Sequence, residues 1–542
     1  MSLSRRQLLK RSVALPAVPM VGCSTTIEDY ASKITGTIGG ASLEKGHRIR
    51  ENQMNPETAE IVDIEVLIVG GGASGLSCAY HLHKQGLEDF TLIELESQPG
   101  GNARSGENNF TRFPYGAHYV TVANLNSQPL LNFYADIGVI IGFDESGIPY
   151  YNREYMCKAP LERIHNGRFW EDNYLPYANM STVEKDDIER FYTYIEDWRK
   201  RKGSDGRLAF TIPMETSSKD PEILKYDKLS FAQLLNLEGF HSTPLMWYAN
   251  YCCRDDFGAG IDKVSAWAGL HYFCARQGFG ANTGEDSVIT WPEGNQWFID
   301  KLKGKVKSRI VPDCMATHVK KQGEKYCINS YDFKNDKMIT YRCNQLIMAT
   351  PKFVNQHLLR GIKHYRNVPQ YAPWIVATIT AKKVPGNQYA RLCWDNFNYL
   401  GQGLGYIYAQ HQTGKKQTDE YTLSYYWPID HLPPKEARQW LLSRSKVEWN
   451  KDILRDLESM NPGISQHISS IDIWRWGHAM AIPEVGSLWS GDRYQDNLNQ
   501  DGLFFAHSDM SGFSIFEEAF DRGYRAAKEV INARAPQNVR VF

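Results

Sequence analysis

A glycine-rich turn between a buried strand and a helix constrains this chain more than any other feature. The apolar run 64–69 has the pattern of a buried parallel strand, and it ends in segment 70–75, which reads G-G-G-A-S-G and satisfies G-x-G-x-x-G. A helical pattern follows, and a second apolar run, 90–93, delivers Glu94. This order of strand, glycine turn, helix and acidic residue is typical of a dinucleotide-binding βαβ unit.

Each residue of the turn has a physical role in holding a pyrophosphate. Gly70 allows the tight turn, Gly72 lets backbone N–H groups approach the phosphates, and Gly75 allows the helix to pack closely on the strand. Ala73 and Ser74 lie at the N-terminus of the helix, whose positive potential favours an anion. The turn therefore predicts a dinucleotide site without saying which dinucleotide it holds.

A second glycine pair indicates which dinucleotide the turn holds. Glu94 is placed to hydrogen-bond ribose hydroxyls, and it is followed by Gly100, Gly101 and Arg104. The pattern G-G-G-x-x-G-L…E-x(5)-G-G resembles the flavin-containing amine oxidase superfamily and its phytoene-desaturase-like relatives. That resemblance implies FAD as the cofactor, and it implies that the second glycine pair and Arg104 wrap the FAD pyrophosphate.

The resemblance recurs farther along the chain. Segments 291–295 and 346–351 match the family's glycine turn and its strand ending in A-x-P. Between them, the resemblance places the backbone of Met315 or Ala316 against the adenine. Near the end of the chain, the strand 503–506 leads to Asp509, which the resemblance places on the ribityl–phosphate chain of FAD. The helix that follows is expected to point its N-terminus at the flavin pyrimidine ring.

These motifs predict an α/β fold in which a glutathione-reductase-like FAD-binding Rossmann domain is interleaved with an α+β substrate domain. A chain of 542 residues is long enough for two domains. We predict the FAD-binding domain at 60–150, 290–355 and 476–542, and the substrate domain at 151–289 and 356–475. Residues 24–60 are polar and without clear periodicity, which predicts a tether.

The residues that touch the reacting atoms are less clearly marked. Segment 112–120 resembles the G-A-x-x-[IV] stretch that lies beside the flavin in the amine oxidases. Gly116 and Ala117 are small enough for the backbone to pack on the ring, which leaves His118 facing the substrate. An imidazole there sets the protonation of an amine, since only a neutral amine can donate hydride. A hydrogen-bonded packing histidine is the alternative.

Two further pairs of residues are candidates for the substrate site. Trp476 and His478 lie where relatives place part of an aromatic cage, and we predict them as pocket walls, with core packing as the alternative. For Asp255 and Asp256, we favour a solvated helix end over a site for a cationic group.

Many amine oxidases carry a lysine near flavin N5, and the resemblance places 372–375, A-P-W-I, there instead. That lysine is associated with the reaction of the reduced flavin with O2. Its absence therefore leaves a dehydrogenase as an alternative to an oxidase.

The first 23 residues indicate export. Arg5 and Arg6 lie in a nearly complete twin-arginine pattern, and small residues followed by Cys23 resemble a bacterial lipobox. We predict a periplasmic protein that is anchored to a membrane through a lipid on Cys23. A basic disordered tail is the alternative.

Composition excludes other classes of function. The formal net charge is −1, so no positive field recruits nucleic acid. No run of roughly 18 apolar residues suggests a spanning helix. The nine cysteines besides Cys23 show no repeated C-x-x-C, so neither a metal site nor a dense disulfide framework is expected.

The sequence thus predicts an FAD-dependent oxidoreductase acting on a small-molecule substrate. The favoured reaction is oxidation of an amine, with electrons passed to a quinone, a soluble carrier or O2. The alternatives are a desaturase or isomerase of an apolar substrate, and a binding protein that retains FAD without catalysis.

The export hypothesis has a direct test. Replacing Arg5 and Arg6 by Lys is expected to leave the protein in the cytoplasm, because the guanidinium pair is read by a receptor. Cell fractionation measures this outcome, and continued export through the same pathway would refute the interpretation. Cys23→Ala is expected to release soluble protein, and retention on membranes would exclude the lipid anchor alone.

Overall fold

The structure, a computed structural model, describes residues 26–51, 60–284, 287–386, 391–413 and 420–534. The predicted signal, including Arg5, Arg6 and Cys23, lies outside the described residues. No helix within these ranges has the length and apolar character needed to cross a membrane. The same ranges contain no group of His, Cys, Asp and Glu arranged to hold a metal ion.

Helices and strands follow one another in runs of one type as often as they alternate along the described chain. The helices are α1 Ile27–Lys33, α2 Leu43–Glu51, α3 Ala73–Lys84, α4 Gln128–Asp136, α5 Thr182–Lys200, α6 Pro221–Leu224, α7 Phe231–Leu237, α8 Thr243–Phe257, α9 Ala266–Cys274, α10 Gln296–Val306, α11 Lys352–Leu358, α12 Pro434–Ser443, α13 Lys446–Met460, α14 Gly491–Asp496 and α15 Phe516–Arg534. The strands are β1 Ile38–Gly40, β2 Glu60–Val69, β3 Phe90–Ile93, β4 Ser105–Glu107, β5 Arg112–Pro114, β6 Tyr119–Thr121, β7 Ile140–Phe143, β8 Pro149–Tyr151, β9 Glu162–His165, β10 Trp170–Glu171, β11 Val288–Thr290, β12 Ile310–Val311, β13 Cys314–Gln322, β14 Lys325–Asp332, β15 Lys337–Met348, β16 Tyr371–Ala381, β17 Asp395–Asn398, β18 Gly405–Tyr408, β19 Tyr421–Pro428, β20 Ile468–Ala481 and β21 Leu503–Phe505.

The first sheet carries the glycine turn. Its strand order is β12-β3-β2-β15-β14-β13, with β21 also paired to β15. Strands β12, β3, β2, β15 and β21 run parallel, so their carboxyl ends meet at one edge, where the turn at 70–75 begins. Helices α3, α10 and α15 cover one face through a common apolar core. This arrangement confirms the predicted α/β fold with a Rossmann-type half.

The second sheet is mixed and larger. Its order is β1-β20-β16-β19-β18-β17-β9-β10. Along β16, Trp374 and Val376 pack toward helices α5, α7, α8 and α9, whereas Ile375 and Ala377 pack toward α12 and α13. This alternation gives a sheet with helices on both faces. Because β20 runs without interruption from Ile468 to Ala481 within this sheet, the domain boundary predicted at residue 476 is wrong and belongs after the strand.

The predicted tether at 24–60 is wrong for its described part, residues 26–51. Thr26 and Asp29 form a capping box at the start of α1, and Ala31 is fully buried. Asn450 Nδ2 donates to the Ala31 carbonyl at 3.0 Å, and β1 adds a parallel edge strand beside β20. We call residues 26–51 the N-terminal strap. The partners of α1 and β1 lie more than 400 residues away, so the local sequence alone does not indicate that this part of the strap is packed.

The strap continues from the second sheet to the first. Ser42 donates from its main-chain N and from Oγ to the Glu96 carboxylate at 2.8 and 2.7 Å. Lys45 Nζ lies 2.8 Å from Asp313 Oδ1. Glu96 follows β3 and Asp313 precedes β13, so the strap ties both sheets together beside Glu94.

Two glycines of the turn are expected to respond differently to the same substitution. A Cβ at Gly75 would lie 1.9 Å from the Gly70 carbonyl oxygen. This clash outweighs the ~1 kcal/mol that alanine gains over glycine in a helix. A Cβ at Gly72 meets nothing closer than the Gly101 Cα at 4.0 Å, and its φ of −74° suits any residue. We expect Gly75→Ala to lower the free energy of unfolding by about 1–3 kcal/mol and Gly72→Ala to leave it nearly unchanged.

The Gly72→Ala variant is also expected to bind less FAD. Gly72→Ala is expected to reduce FAD content at least tenfold, because the new methyl group fills the space left for a phosphate. Thermal melting and the flavin absorbance of purified protein measure the two effects. Gly304→Ala, at a helix position with open space around it, is the control. Full FAD content in Gly72→Ala would contradict this assignment of the turn.

Candidate functional site

A cavity of about 150 Å³ lies between the two sheets. One wall is formed by residues 116–121 of the Rossmann half and by Ser514–Glu517 at the start of α15. The second sheet contributes the large side chains of Trp374, Tyr426, Trp476 and Met480 to the lining. Gly116 and Ala117 present only backbone and a methyl group to this space. We call the stretch at Gly116 and Ala117, which carries no large side chain, the flat wall, and the large side chains from the second sheet the aromatic wall.

His118 lies in this cavity, on the flat wall. Its ring lies 5.5 Å from the ring of Tyr426 and 5.7 Å from that of Trp394, measured between centroids. Burial lowers the pKa of His118 to about 4, although Nδ1 lies 3.4 Å from the Gly116 carbonyl oxygen. The imidazole is therefore neutral near pH 7. The structure places His118 in the cavity lining, and its predicted position beside the flavin and its catalytic role stay predictions.

Trp476 and His478 occupy different environments. Trp476 lines the cavity, and its Nε1 donates to the Tyr115 carbonyl at 2.5 Å. His478 stacks on Phe353, with 4.1 Å between the ring centroids, and it is not part of the cavity lining. The reason is a register shift between β16 and β20, where Ala372 pairs with Met480 but Trp374 pairs with Trp476. This bulge breaks the alternation that would have put both side chains on one face.

Two acids on α8 reach the cavity, contrary to the solvated helix end that the sequence favoured. Asp255 and Asp256 lie in the last turn of the helix and line the cavity. Arg276 Nη2 binds both oxygens of Asp256, at 2.7 and 2.9 Å. Asp255 has no hydrogen bond or ion pair with any described residue. The sequence did contain a signal for a functional role of these two acids. Acids in the last turn of a helix interact unfavourably with the negative end of the helix dipole, so stability alone does not explain them there.

The cavity lining carries more acidic than basic side chains. Glu517 on α15 adds a third carboxyl group beside Asp255 and Asp256, whereas Arg276 is the one cationic side chain in the described lining. Burial raises the pKa of Asp255 to about 7, with a further contribution from the neighbouring Asp256. Burial also raises the pKa of Glu517 to about 7. Sequence reasoning missed Arg276 and Glu517 as site residues.

The dinucleotide motifs form a second, connected site. Glu94 is buried, and its carboxylate accepts from Gly71 N at 2.6 Å and from Glu96 N at 2.9 Å. Burial raises the pKa of Glu94 against the effect of these two N–H groups. Arg104 Nε donates to the Gly101 carbonyl at 3.2 Å. Its guanidinium carbon lies 5.3 Å from the Trp474 ring centroid and 5.4 Å from that of Trp476. Arg104 thus connects the second glycine pair to the aromatic wall.

Asp509 and Ala316 lie at the other ends of this site. Asp509 Oδ2 accepts from Lys352 N at 2.7 Å and from the Tyr371 hydroxyl at 2.6 Å. Asp509 Oδ1 is buried and lies 3.1 Å from His507 Nδ1. While the imidazole is neutral, Nδ1 accepts from Asp509 N and has no proton to donate, so Oδ1 then has no hydrogen bond. Ala316 lies in β13, where a register shift interrupts the pairing with β14.

These residues fit FAD. The helix α3 has no side-chain cap at its N-terminus, and Gly72 leaves open space there, so backbone N–H groups are available to a pyrophosphate. The unbonded Oδ1 of Asp509 is an acceptor suited to a ribityl hydroxyl. Residues 116–118 bring the flat wall of the cavity to the same edge of the sheet.

Comparison with known proteins agrees with this description. Residues 68–137 match the family model of an NAD(P)-binding Rossmann-like domain. Thiamine thiazole synthase 2 of Zea mays is 34% identical over 84 residues, which cover 16% of this chain and 20% of that protein. The match to that relative is therefore confined to a fifth of its length.

Solved structures match over most of the chain. A double mutant of putrescine oxidase has a TM-score of 0.64 at 16% identity, covering 88% of this chain and all of the other. Cyclohexylamine oxidase from Brevibacterium oxydans has a TM-score of 0.59 at 14% identity, covering 86% and 98%. A fatty acid isomerase from P. acnes has a TM-score of 0.57 at 15% identity, covering 88% and 99%. The chain therefore has the fold of these enzymes, and that fold agrees with FAD as its cofactor.

Proposed function

We propose that this protein is an FAD-dependent oxidoreductase that oxidises an amine. FAD, when bound, supplies a hydride acceptor at flavin N5. The observation that carries the proposal is the surplus of carboxyl groups in an aromatic cavity, of which Asp255 has no partner among the described residues. A partly buried carboxylate such as Asp255, with no hydrogen bond or ion pair among the described residues, is stabilised when a cation binds beside it, and an alkylammonium group is such a cation.

The side chains of the cavity have distinct roles in this reaction. Asp255 binds and orients the ammonium group, and Arg276 fixes Asp256 because its Nη2 donates to both carboxylate oxygens. Trp374, Tyr426 and Trp476 exclude water and present ring faces that attract a cation. Asp255, with a pKa of about 7, is suited to take a proton from the amine before hydride transfer. His118, whose pKa is about 4, is a weaker base and orients the substrate against the flat wall.

The fold also permits the isomerase or desaturase alternative, since the P. acnes fatty acid isomerase shares it. A fatty acid would need a cation for its carboxylate. Arg276 is the cation of the described cavity lining, and Asp256 already neutralises it. The charge of the cavity therefore favours an amine over a carboxylic acid.

The electron acceptor and the cellular location are further parts of the proposal. Trp374 lines the cavity on β16, at the place the resemblance assigns to the family's lysine. This position favours a dehydrogenase that passes electrons to a quinone or a soluble carrier over an oxidase that uses O2. A periplasmic, lipid-anchored protein is consistent with such an acceptor.

The proposed substrate class is tested by anaerobic bleaching of the flavin with amines, alcohols, fatty acids and prenyl compounds. Amines are expected to bleach it. Asp255→Asn should weaken amine binding roughly 10- to 150-fold, because a hydrogen bond to a charged group is worth about 1.5–3 kcal/mol. Asp262→Asn, which alters an exposed acid next to the same helix, is the control.

The binding of amines should also depend on pH. Asp255 has a raised pKa of about 7, so it is protonated at lower pH and loses its attraction for a cation. Affinity for the amine is expected to fall as the pH drops below 7, and to fall less in Asp255→Asn. Bleaching by fatty acids or prenyl compounds alone would refute the amine proposal, and bleaching by no compound would favour a non-catalytic binding protein.

A further inference from the structure

Glu96 lies where the N-terminal strap meets the dinucleotide site. Its main-chain N–H donates to Glu94 Oε1 at 2.9 Å, and Glu94 Oε2 accepts from Gly71 N at 2.6 Å. The Glu96 carboxylate also lies 3.4 Å from Arg104 Nη1. Glu96 is therefore in direct contact with the acid predicted to bind the ribose and with the arginine that follows the second glycine pair.

The strap provides two hydrogen bonds to the same carboxylate. Ser42 donates from its main-chain N to Oε1 at 2.8 Å and from Oγ to Oε2 at 2.7 Å. The side chain of Glu96 is only 14% exposed, so these two donors replace much of the water that a carboxylate binds in solution. The charges of Glu94 and Glu96 repel each other. The donors from Ser42 and Arg104 offset that repulsion.

A second contact of the strap reaches the same turn through Asp313. Lys45 Nζ lies 2.8 Å from Asp313 Oδ1, and Asp313 N donates to the Glu96 carbonyl at 3.1 Å. The next residue, Cys314, donates from its N to the Glu94 carbonyl at 2.8 Å. Each step from the strap to the glycine turn is therefore a hydrogen bond or an ion pair between described residues.

Another strap residue makes the same kind of contact at a different place. Thr37 donates from its main-chain N and from Oγ1 to Asp472 Oδ1, at 2.9 and 2.8 Å. Asp472 belongs to β20 of the second sheet, so this contact attaches the strap to the fold. The contact of Ser42 differs because its acceptor, Glu96, also holds Glu94 and Arg104. That difference indicates a role beyond attachment.

We propose that the strap retains FAD, because Ser42 and Lys45 fix the turn at Glu96 and docking of the strap and binding of FAD stabilise each other. Glu96 is a positioning residue that acts through Glu94 and Arg104. Each carboxylate oxygen has two lone-pair sites, so Glu94 can accept from Gly71 and Glu96 and still bind ribose hydroxyls. The inference does not depend on which substrate the enzyme oxidises.

The proposal is tested by diluting purified holoprotein and measuring the fluorescence of released FAD, which gives the dissociation constant of the cofactor. Ser42→Ala is expected to raise that constant about fivefold or more, the lower end of typical coupling between two sites. Adding Lys45→Met should raise it further. Ser42→Thr keeps the hydroxyl group and should bind FAD as the wild type does.

Thr37→Val is the matched control, because it removes a hydroxyl–carboxylate hydrogen bond from the same strap. Both Ser42→Ala and Thr37→Val are expected to lower the melting temperature by similar amounts, whereas only Ser42→Ala should weaken FAD binding. Unchanged FAD affinity in Ser42→Ala would overturn the proposal. An equal loss of affinity in both variants would also overturn it, since the strap would then act through overall stability alone.

Amide hydrogen exchange measures the reciprocal effect, because coupling between two binding events acts equally in both directions. In the wild type, FAD should slow exchange within residues 41–48 about fivefold or more, since exchange there requires the strap to open. In Ser42→Ala, FAD should have little effect on the same segment. Exchange that is equally fast with and without FAD in the wild type would contradict the coupling.

Discussion

The close contact between α3 and the start of its own turn is the constraint on which the rest of the structure depends. At Gly75 the helix backbone lies so near the Gly70 carbonyl that no side chain fits between them. A second such contact follows on the helix's outer side, where a Cβ at Gly523 of α15 would lie 2.2 Å from the Ser74 carbonyl oxygen. Strand β2, α3 and α15 are thereby stacked at fixed distances. Since Glu517 lies in the first turn of α15, two glycines set the position of a carboxyl group in the cavity.

The second sheet supplies large aromatic side chains to the cavity. Its strands β16, β19 and β20 bring Trp374, Tyr426 and Trp476 against the flat wall. Aromatic walls lower the local dielectric constant, and this raises the energetic cost of the acids they enclose. The same cost makes the acids selective, because a cation relieves it and a neutral or anionic molecule does not. Under the proposed function, affinity and specificity for a cation therefore have one physical origin.

The features that could be predicted from sequence are those whose cause is local. The turn at 70–75 and Glu94 follow from residue spacing within one βαβ unit, and His118 follows from a short glycine–alanine pattern beside it. Features that were missed depend on distant partners. Asp255 and Arg276 reach the cavity only because two helices pack on β16, and His478 turns away because of a single bulge in β20. The N-terminal strap is held by residues of β20 and α13, which no local pattern could indicate.

The strap also has a consequence for how the chain is made. Lys446 Nζ binds the carbonyl oxygen of Ile34 at 3.0 Å, across 412 residues. At a synthesis rate of 5–20 residues per second, the ribosome needs roughly 20 to 80 s to make that interval. During this time Ile34 and Ile38 have no partner strand, and their apolar side chains stay open to solvent and to chaperones. Docking of the strap is thus a late event in biogenesis, which can occur only when β20 has been synthesised and paired with β16.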